Sequence, residues 1–242
     1  MDRCLFYTAG NTPSLRYCVH YLSEWGIPFS PIPTEDITHL LLPVPSLDDD
    51  KHIKGDGLWP EVLSNLPKGI CVFGGKLPPV EGYTVHDLIE DTDFAAQNAY
   101  ITAHCALRLV MERLPATLRG QKILVIGWGR IGKCLADLLR RMDAQVTVIA
   151  HRSSEQALAC ALGYETTTLD KTDGYRVIFN TVPALVLPDA PADALKIDLA
   201  SKPGIGGTDV LWARGLPGKF APESAGKLIA QTILRLLKEE EK

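Results

Sequence analysis

Residues 121–132, Gln-Lys-Ile-Leu-Val-Ile-Gly-Trp-Gly-Arg-Ile-Gly, constrain this chain more than any other stretch. Four apolar residues, 123–126, run straight into glycines spaced G-x-G-x-x-G, and a helical pattern follows over 130–141. An apolar run closed by glycine reads as a buried strand. Gly127 then makes the tight turn, Gly129 removes a side chain where a pyrophosphate must approach the backbone, and Gly132 lets the helix pack closely on the sheet. The start of the helix adds unpaired N–H groups and a positive dipole end. Such a glycine pattern alone also occurs in ordinary turns. Here a second apolar strand, 145–149, falls in register behind the helix, so the β-α-β unit points to a bound dinucleotide.

The residues that follow the second strand decide which dinucleotide. They read Ala150-His151-Arg152-Ser153-Ser154, with no carboxylate before Glu155. A carboxylate there would accept hydrogen bonds from ribose hydroxyls and repel a 2′-phosphate, whereas a guanidinium grips a phosphate through parallel charge-assisted bonds. The expected cofactor is therefore NADP, on Gly127, Trp128, Gly129, Arg130, Ile131, Gly132 and His151, with Arg152 and Ser153 holding the 2′-phosphate and Ser154 a further hydroxyl donor. The alternative keeps Arg152 as a solvated loop charge and Ser153 as a helix cap.

The 242 residues are 46% hydrophobic and 22% charged, enough to bury one large or two small cores. The net charge of −4 and the lack of a basic cluster argue against nucleic acid or an anionic membrane as partner. Six cysteines (Cys4, Cys18, Cys71, Cys105, Cys134, Cys160) lie in apolar segments without C-x-x-C pairing and read as buried, reduced thiols. The histidines show no ligand spacing, so no metal is expected. With no leader pattern over residues 1–10 and no membrane-length apolar run, the chain reads as cytoplasmic.

Short strands are predicted at 4–7, 39–42, 70–73 and 83–85, with a helix at about 14–25. A long helical pattern covers about 93–113, and further strands fall at 176–179 and 195–199. A final helix starts near Pro222 and ends in a charged tail, 238–242, expected to fray. The fold class is α/β: two α/β domains, the second a Rossmann-type doubly wound parallel sheet, joined by a long linking helix across an interdomain cleft. The expected boundaries are 1–93, 94–118 for the linker and 119–221, with 222–242 packing back on the first domain. Five residues between Asp209 and Gly215 leave too little chain for another full βα crossover.

Ligands of open α/β sheets sit beyond the carboxyl ends of the strands. Asn180, Thr181, Val182 and Pro183 follow one strand and suit the nicotinamide pocket; a plain turn before Pro183 is the alternative. The glycine-rich stretch 198–209 follows the next. In it Ser201 and Lys202 are candidates for a substrate carboxylate, Asp209 for a base, and Gly206 and Gly207 for close backbone approach; Lys202 and Asp209 could equally form a solvated ion pair. Gly218, in a rigid loop, is a candidate for framing the substrate. On the linking helix, Asn98, Thr102 and His104 are expected near one face by helical spacing. His104 there is a candidate base or an ordinary surface or core histidine.

These motifs together resemble the dipicolinate synthase family, in its A subunits. The resemblance is carried by 126–132, Arg152-Ser153-Ser154, Asn180-Thr181-Val182-Pro183, the Asp-Leu-Ala-Ser-Lys-Pro-Gly loop from Asp198, Gly215-Leu216-Pro217-Gly218, Ala221-Pro222 and Ser224-Ala225-Gly226. It is good over about 98–237 and faint before, and marks a divergent, shortened member. It implies NADP-linked oxidation of dihydrodipicolinate, a small dicarboxylate, to dipicolinate in the mother-cell cytoplasm during sporulation. It also implies a second, flavoprotein-like subunit; a homo-oligomer is the expected assembly. Two other readings stay open: another NADP-dependent oxidoreductase of a small carboxylic acid, or a nucleotide-binding, non-catalytic subunit.

Overall fold

The structure, a computed structural model, describes residues 4–240. Part of the tail expected to fray, 241–242, and the first three residues lie outside them. The chain divides into two compact units: residues 1–98 with 217–242, and residues 99–216.

The first unit opens with β1 (Phe6–Thr8), α1 (Pro13–Glu24), β2 (His39–Leu41), α2 (Trp59–Ser64), β3 (Cys71–Gly74) and β4 (Thr84–Asp87). The strands form one parallel sheet in the order β1-β2-β3-β4. Each lies within two residues of its expected place. The helix α2 has no counterpart among the expected elements. It is a single short turn and a half, started by Pro60, whose fixed φ suits a first turn. Its Trp59 and Leu63, four residues apart, bury into the core formed by Leu40, Leu42 and Val72. In α1, Thr12 caps the helix by accepting from the Leu15 N–H, and Leu15, Cys18 and Leu22 face inward.

The helix α3 (Thr92–Arg113) carries the chain from the first unit into the second. The second unit contains β5 (Lys122–Ile126), α4 (Arg130–Arg141), β6 (Gln145–Ile149), α5 (Ser153–Ala161), β7 (Glu165–Thr166), β8 (Val177–Asn180), β9 (Leu195–Asp198) and β10 (Leu211–Trp212). Every pairing in its sheet is parallel, and the order is β10-β9-β8-β5-β6-β7. The chain steps outward from β5 to β7, returns to β8 on the other side of β5, and steps outward again. This is the Rossmann order, with its reversal point between β5 and β8.

The expectation that residues 210–214 leave too little chain for another full βα crossover agrees with the structure, although no strand is expected there. The chain does reach a sixth strand, because residues 199–210 cross from β9 to β10 as a loop, without a helix, and Leu211 pairs with Ile197. The separate linker expected at 94–118 is divided after Asn98, and Ala99, Ala103, Ala106 and Val110 of α3 are buried.

Two helices, α6 (Leu216–Phe220) and α7 (Pro222–Glu240), end the chain. Within the first unit α7 packs on α1 at Gly226, where a Cβ would lie 2.5 Å from the Ser14 carbonyl oxygen and 2.6 Å from the Tyr17 Cβ. Tyr21 donates to Glu223 across the same contact at 3.0 Å. Cys18 and Cys105 are buried, and burial pushes the Cys18 thiol up; Cys160, expected inside, is exposed on α5, where only Ala159 is fully covered. Among the described residues, no helix is long and apolar enough to cross a membrane.

Candidate dinucleotide site

A cavity of ≈470 Å³ opens in the second unit where the strand order reverses. Its wall joins the carboxyl ends of four strands: Gly127, Trp128 and Gly129 after β5; His151 after β6; Thr167 and Thr168 after β7; and Thr181, Val182 and Pro183 after β8. Of the three glycines of the fingerprint, Gly127 and Gly132 are required by the backbone and packing. Gly127 has φ +102°, and a Cβ on it would lie 2.3 Å from Thr181 Oγ1. A Cβ on Gly132 would lie 2.1 Å from the Gly127 carbonyl oxygen, so the first turn of α4 can sit against the β5 turn only without a side chain there. A Cβ on Gly129 would meet nothing within 4 Å. Gly129 lies in the cavity wall, and no packing contact requires its missing side chain, so the residues present are compatible with a dinucleotide's pyrophosphate there. Arg130, Ile131 and Gly132 belong to the first turn of α4 and not to the cavity wall.

Trp128 closes one side of the cavity. Its ring is 4% exposed and meets Tyr164 edge-on at 5.2 Å, while its buried indole N–H has no hydrogen-bond partner. Thr181 fixes the opposite side to β5, its backbone and its hydroxyl both donating to the Ile126 carbonyl.

Asn180 occupies a different place from the one expected. It is fully buried and does not line the cavity. Its amide donates to the Val182 carbonyl and to Asp198 Oδ1, each at 2.9 Å, and its oxygen accepts from the Val182 N–H. Asp198, 1% exposed, accepts in addition from the backbone of Ala200, Gly204 and Ile205. Together the two side chains tie the loop after β8 to the loop after β9. Thr181, Val182 and Pro183 line the cavity because Asn180 holds the turn from beneath.

The loop 199–210 is held at its far end too. Lys196 of β9 is 3% exposed and places its ammonium 2.6 Å from Asp209, while donating to the Pro191 carbonyl. The hydrogen bond from Lys196 holds the Asp209 carboxyl below the usual carboxylate range. Asp209, the candidate base, is thus engaged in an ion pair with Lys196 that anchors the end of the loop, and this pairing competes with proton acceptance. The alternative pairing with Lys202 is corrected: Lys196 takes that place. Ser201 and Lys202 are exposed on the loop, outside the cavity wall. Gly206 packs on Pro188, whose carbonyl oxygen a Cβ would approach to 2.1 Å, and Gly207 has φ +112°.

On α3 the grouping of Asn98, Thr102 and His104 does not hold. Thr102 is buried and His104 exposed, because two positions along a helix turn through about 200°. His104 packs edge-on against Tyr100 at 4.7 Å. Asn98, in the first unit, is half-buried. Gly218 lies in α6 with Ser14 Oγ 3.6 Å from where its Cβ would be, and is likewise no part of the cavity.

At the end of β6, Arg152 is the N-cap of α5 and makes no side-chain cap bond; Ser153, the alternative cap, is the first helical residue. Both are exposed and lie outside the cavity wall, whereas His151, Glu155 and Gln156 line it. By sequence position alone Glu155 stands beyond the strand end. The helical start at Ser153 brings it back toward that end. Among the described residues, no group of three or more His, Cys, Asp or Glu could hold a metal ion.

Comparison with known proteins agrees with this geometry. Residues 93–184 match the family of D-isomer specific 2-hydroxyacid dehydrogenase, NAD binding domain. Up to residue 184, the second unit is thus similar to a nicotinamide-dinucleotide-binding domain of dehydrogenases. More particularly, the chain is similar to the dipicolinate synthase A chain of Bacillus subtilis (strain 168), 27% identical over 246 residues that cover 86% of this chain and 80% of that protein. In fold it resembles the crystal structure of the Bacillus subtilis A chain, with a TM-score of 0.83 at 22% identity over 99% of this chain and 97% of that one. It equally resembles the corresponding chain from Bacillus halodurans, with a TM-score of 0.84 at 23% identity over 98% of both chains. The transhydrogenase from Sinorhizobium meliloti has the same architecture at lower similarity, with a TM-score of 0.68, 13% identity, and 97% and 92% coverage.

Proposed function

We propose that the chain is an NADP-dependent dehydrogenase that oxidises dihydrodipicolinate to dipicolinate. The observation that carries this reading is the fingerprint cavity, with Gly129 open toward it, in a chain similar along most of its length to the dipicolinate synthase A chain. NADP+, when bound, supplies a two-electron hydride acceptor. The Gly127–Gly129 turn and the first turn of α4 would hold its pyrophosphate, Arg152 and Ser153 its 2′-phosphate, and Thr181, Val182 and Pro183 its nicotinamide end.

Ser201 and Lys202 bind one carboxylate of the substrate from the loop that Asp198 and Lys196 hold in place. Oxidation of the dihydro ring removes one hydride and one proton from neighbouring atoms, and gains an aromatic ring. That gain lets a weak base or water take the proton, so the engagement of Asp209 is no obstacle. The protein works in the cytoplasm of a sporulating cell as a homo-oligomer, together with a flavoprotein-like second subunit.

One observation favours a second reading, a nucleotide-binding subunit that completes a partner's site. Asp209 is tied to Lys196, and His104 rests on Tyr100, which leaves the second unit without either expected base. The test is the absorbance of reduced nicotinamide after mixing the protein with NADP+ and freshly generated dihydrodipicolinate, with and without a candidate second subunit. Turnover by this chain alone is expected. Turnover only with the partner selects the second reading, and none in either mixture rejects the substrate.

A further inference from the structure

Glu155 places a carboxylate on the wall of the dinucleotide cavity, in the first turn of α5 and beside Gln156, whose amide donates to Thr166 Oγ1. Arg152 lies three residues earlier, where the backbone is still extended at φ −93° and ψ 141°, and is exposed outside the wall. Two groups of opposite sign therefore flank the carboxyl end of β6. This is where a Rossmann domain receives the ribose of the adenosine half. A 2′-phosphate gains from the guanidinium and loses from the carboxylate. An unphosphorylated ribose instead offers hydroxyl donors, and an ionised carboxylate is purely an acceptor.

We infer that Glu155 is a specificity-determining residue that opposes Arg152, so that the cavity takes NADH as well as NADPH and separates them weakly. This rests on the NADP reading of the same cavity and adds to it a residue that limits the preference. The basic side chain selects for the phosphate from outside the wall, and the acidic one selects against it from within.

The experiment measures dissociation constants of NADPH and NADH by tryptophan quenching and energy transfer to the reduced nicotinamide, Trp128 lying in the cavity wall. It compares the full-length protein with Glu155→Gln and Arg152→Ala, both at exposed or half-exposed positions that the fold tolerates. The wild type is expected to bind the two within about tenfold of each other, and Glu155→Gln to tighten NADPH by about five- to tenfold while weakening NADH. Arg152→Ala is expected to weaken NADPH by about tenfold and leave NADH in place. If Glu155→Gln leaves the ratio of the two constants unchanged while Arg152→Ala lowers it, Glu155 has no selective role and the NADP reading survives alone. Binding of NADH only, indifferent to Arg152→Ala, overturns both.

Discussion

Asp198 shows how one side chain can set the position of others. Its two oxygens accept from Asn180 and from three backbone N–H groups, in a place with 1% of its surface exposed. An amide of the same shape turns one acceptor into a donor that faces other donors. Asp198→Asn should therefore cost on the order of 3 kcal/mol in thermal unfolding of the protein and release the Gly204 and Ile205 amides to hydrogen exchange. Unchanged protection at those two amides would show that the loop after β9 holds itself. The same reasoning explains Asp209 and Lys196. A lysine that emerges from a central strand at 3% exposure must find a partner, and the loop supplies the carboxylate that the sequence suggested for catalysis.

At the scale of elements, local pattern made much of the fold legible. The run 123–126 followed by G-x-G-x-x-G placed β5 and α4, and Gln145–Ile149 stands as read. What stayed hidden has physical reasons. The strands β7 and β10 are two residues long, too short to show alternation, and exist because a neighbouring strand offers its edge. Asn180 and Glu155 were hard to place for a related reason: whether a polar side chain turns under a loop or into a cavity depends on partners remote in sequence. Thr102 and His104, by contrast, were separable from spacing alone. The start of α3 makes a further prediction.

Asp91 accepts from the Phe94 N–H and pairs with Arg235 of α7 within the first unit. Burial works to raise its carboxyl, but the Phe94 N–H and Arg235 outweigh it, so Asp91 lies below the ordinary range. A carboxyl lowered on folding stabilises above its unfolded value, and the contribution fades as pH falls through the folded one. Asp91→Asn keeps a capping oxygen and removes the charge. It should lower stability by about 0.5–1 kcal/mol at pH 7, a difference that closes below about pH 4. A gap of constant size between melting curves at neutral and acid pH would remove Arg235 from the explanation.

For the whole molecule, the central claim is that the second unit binds a nicotinamide dinucleotide at its strand-order reversal, in the space that Gly129 leaves open. Gly127 and Gly132 cannot test this cleanly, because side chains there strike Thr181 and the backbone and would disturb the fold itself. Gly129 separates the two effects: φ is −78°, which any residue adopts, and a Cβ meets no protein atom. The decisive measurement is NADPH binding by titration calorimetry to the wild type and to Gly129→Ala, with thermal unfolding of both as control. Unfolding should stay within about 1 kcal/mol, the cost of alanine at a helix cap, while binding weakens by tenfold or more, roughly the effect of crowding a phosphate off its N–H groups. Equal binding by the two proteins would contradict the assignment and move the dinucleotide elsewhere.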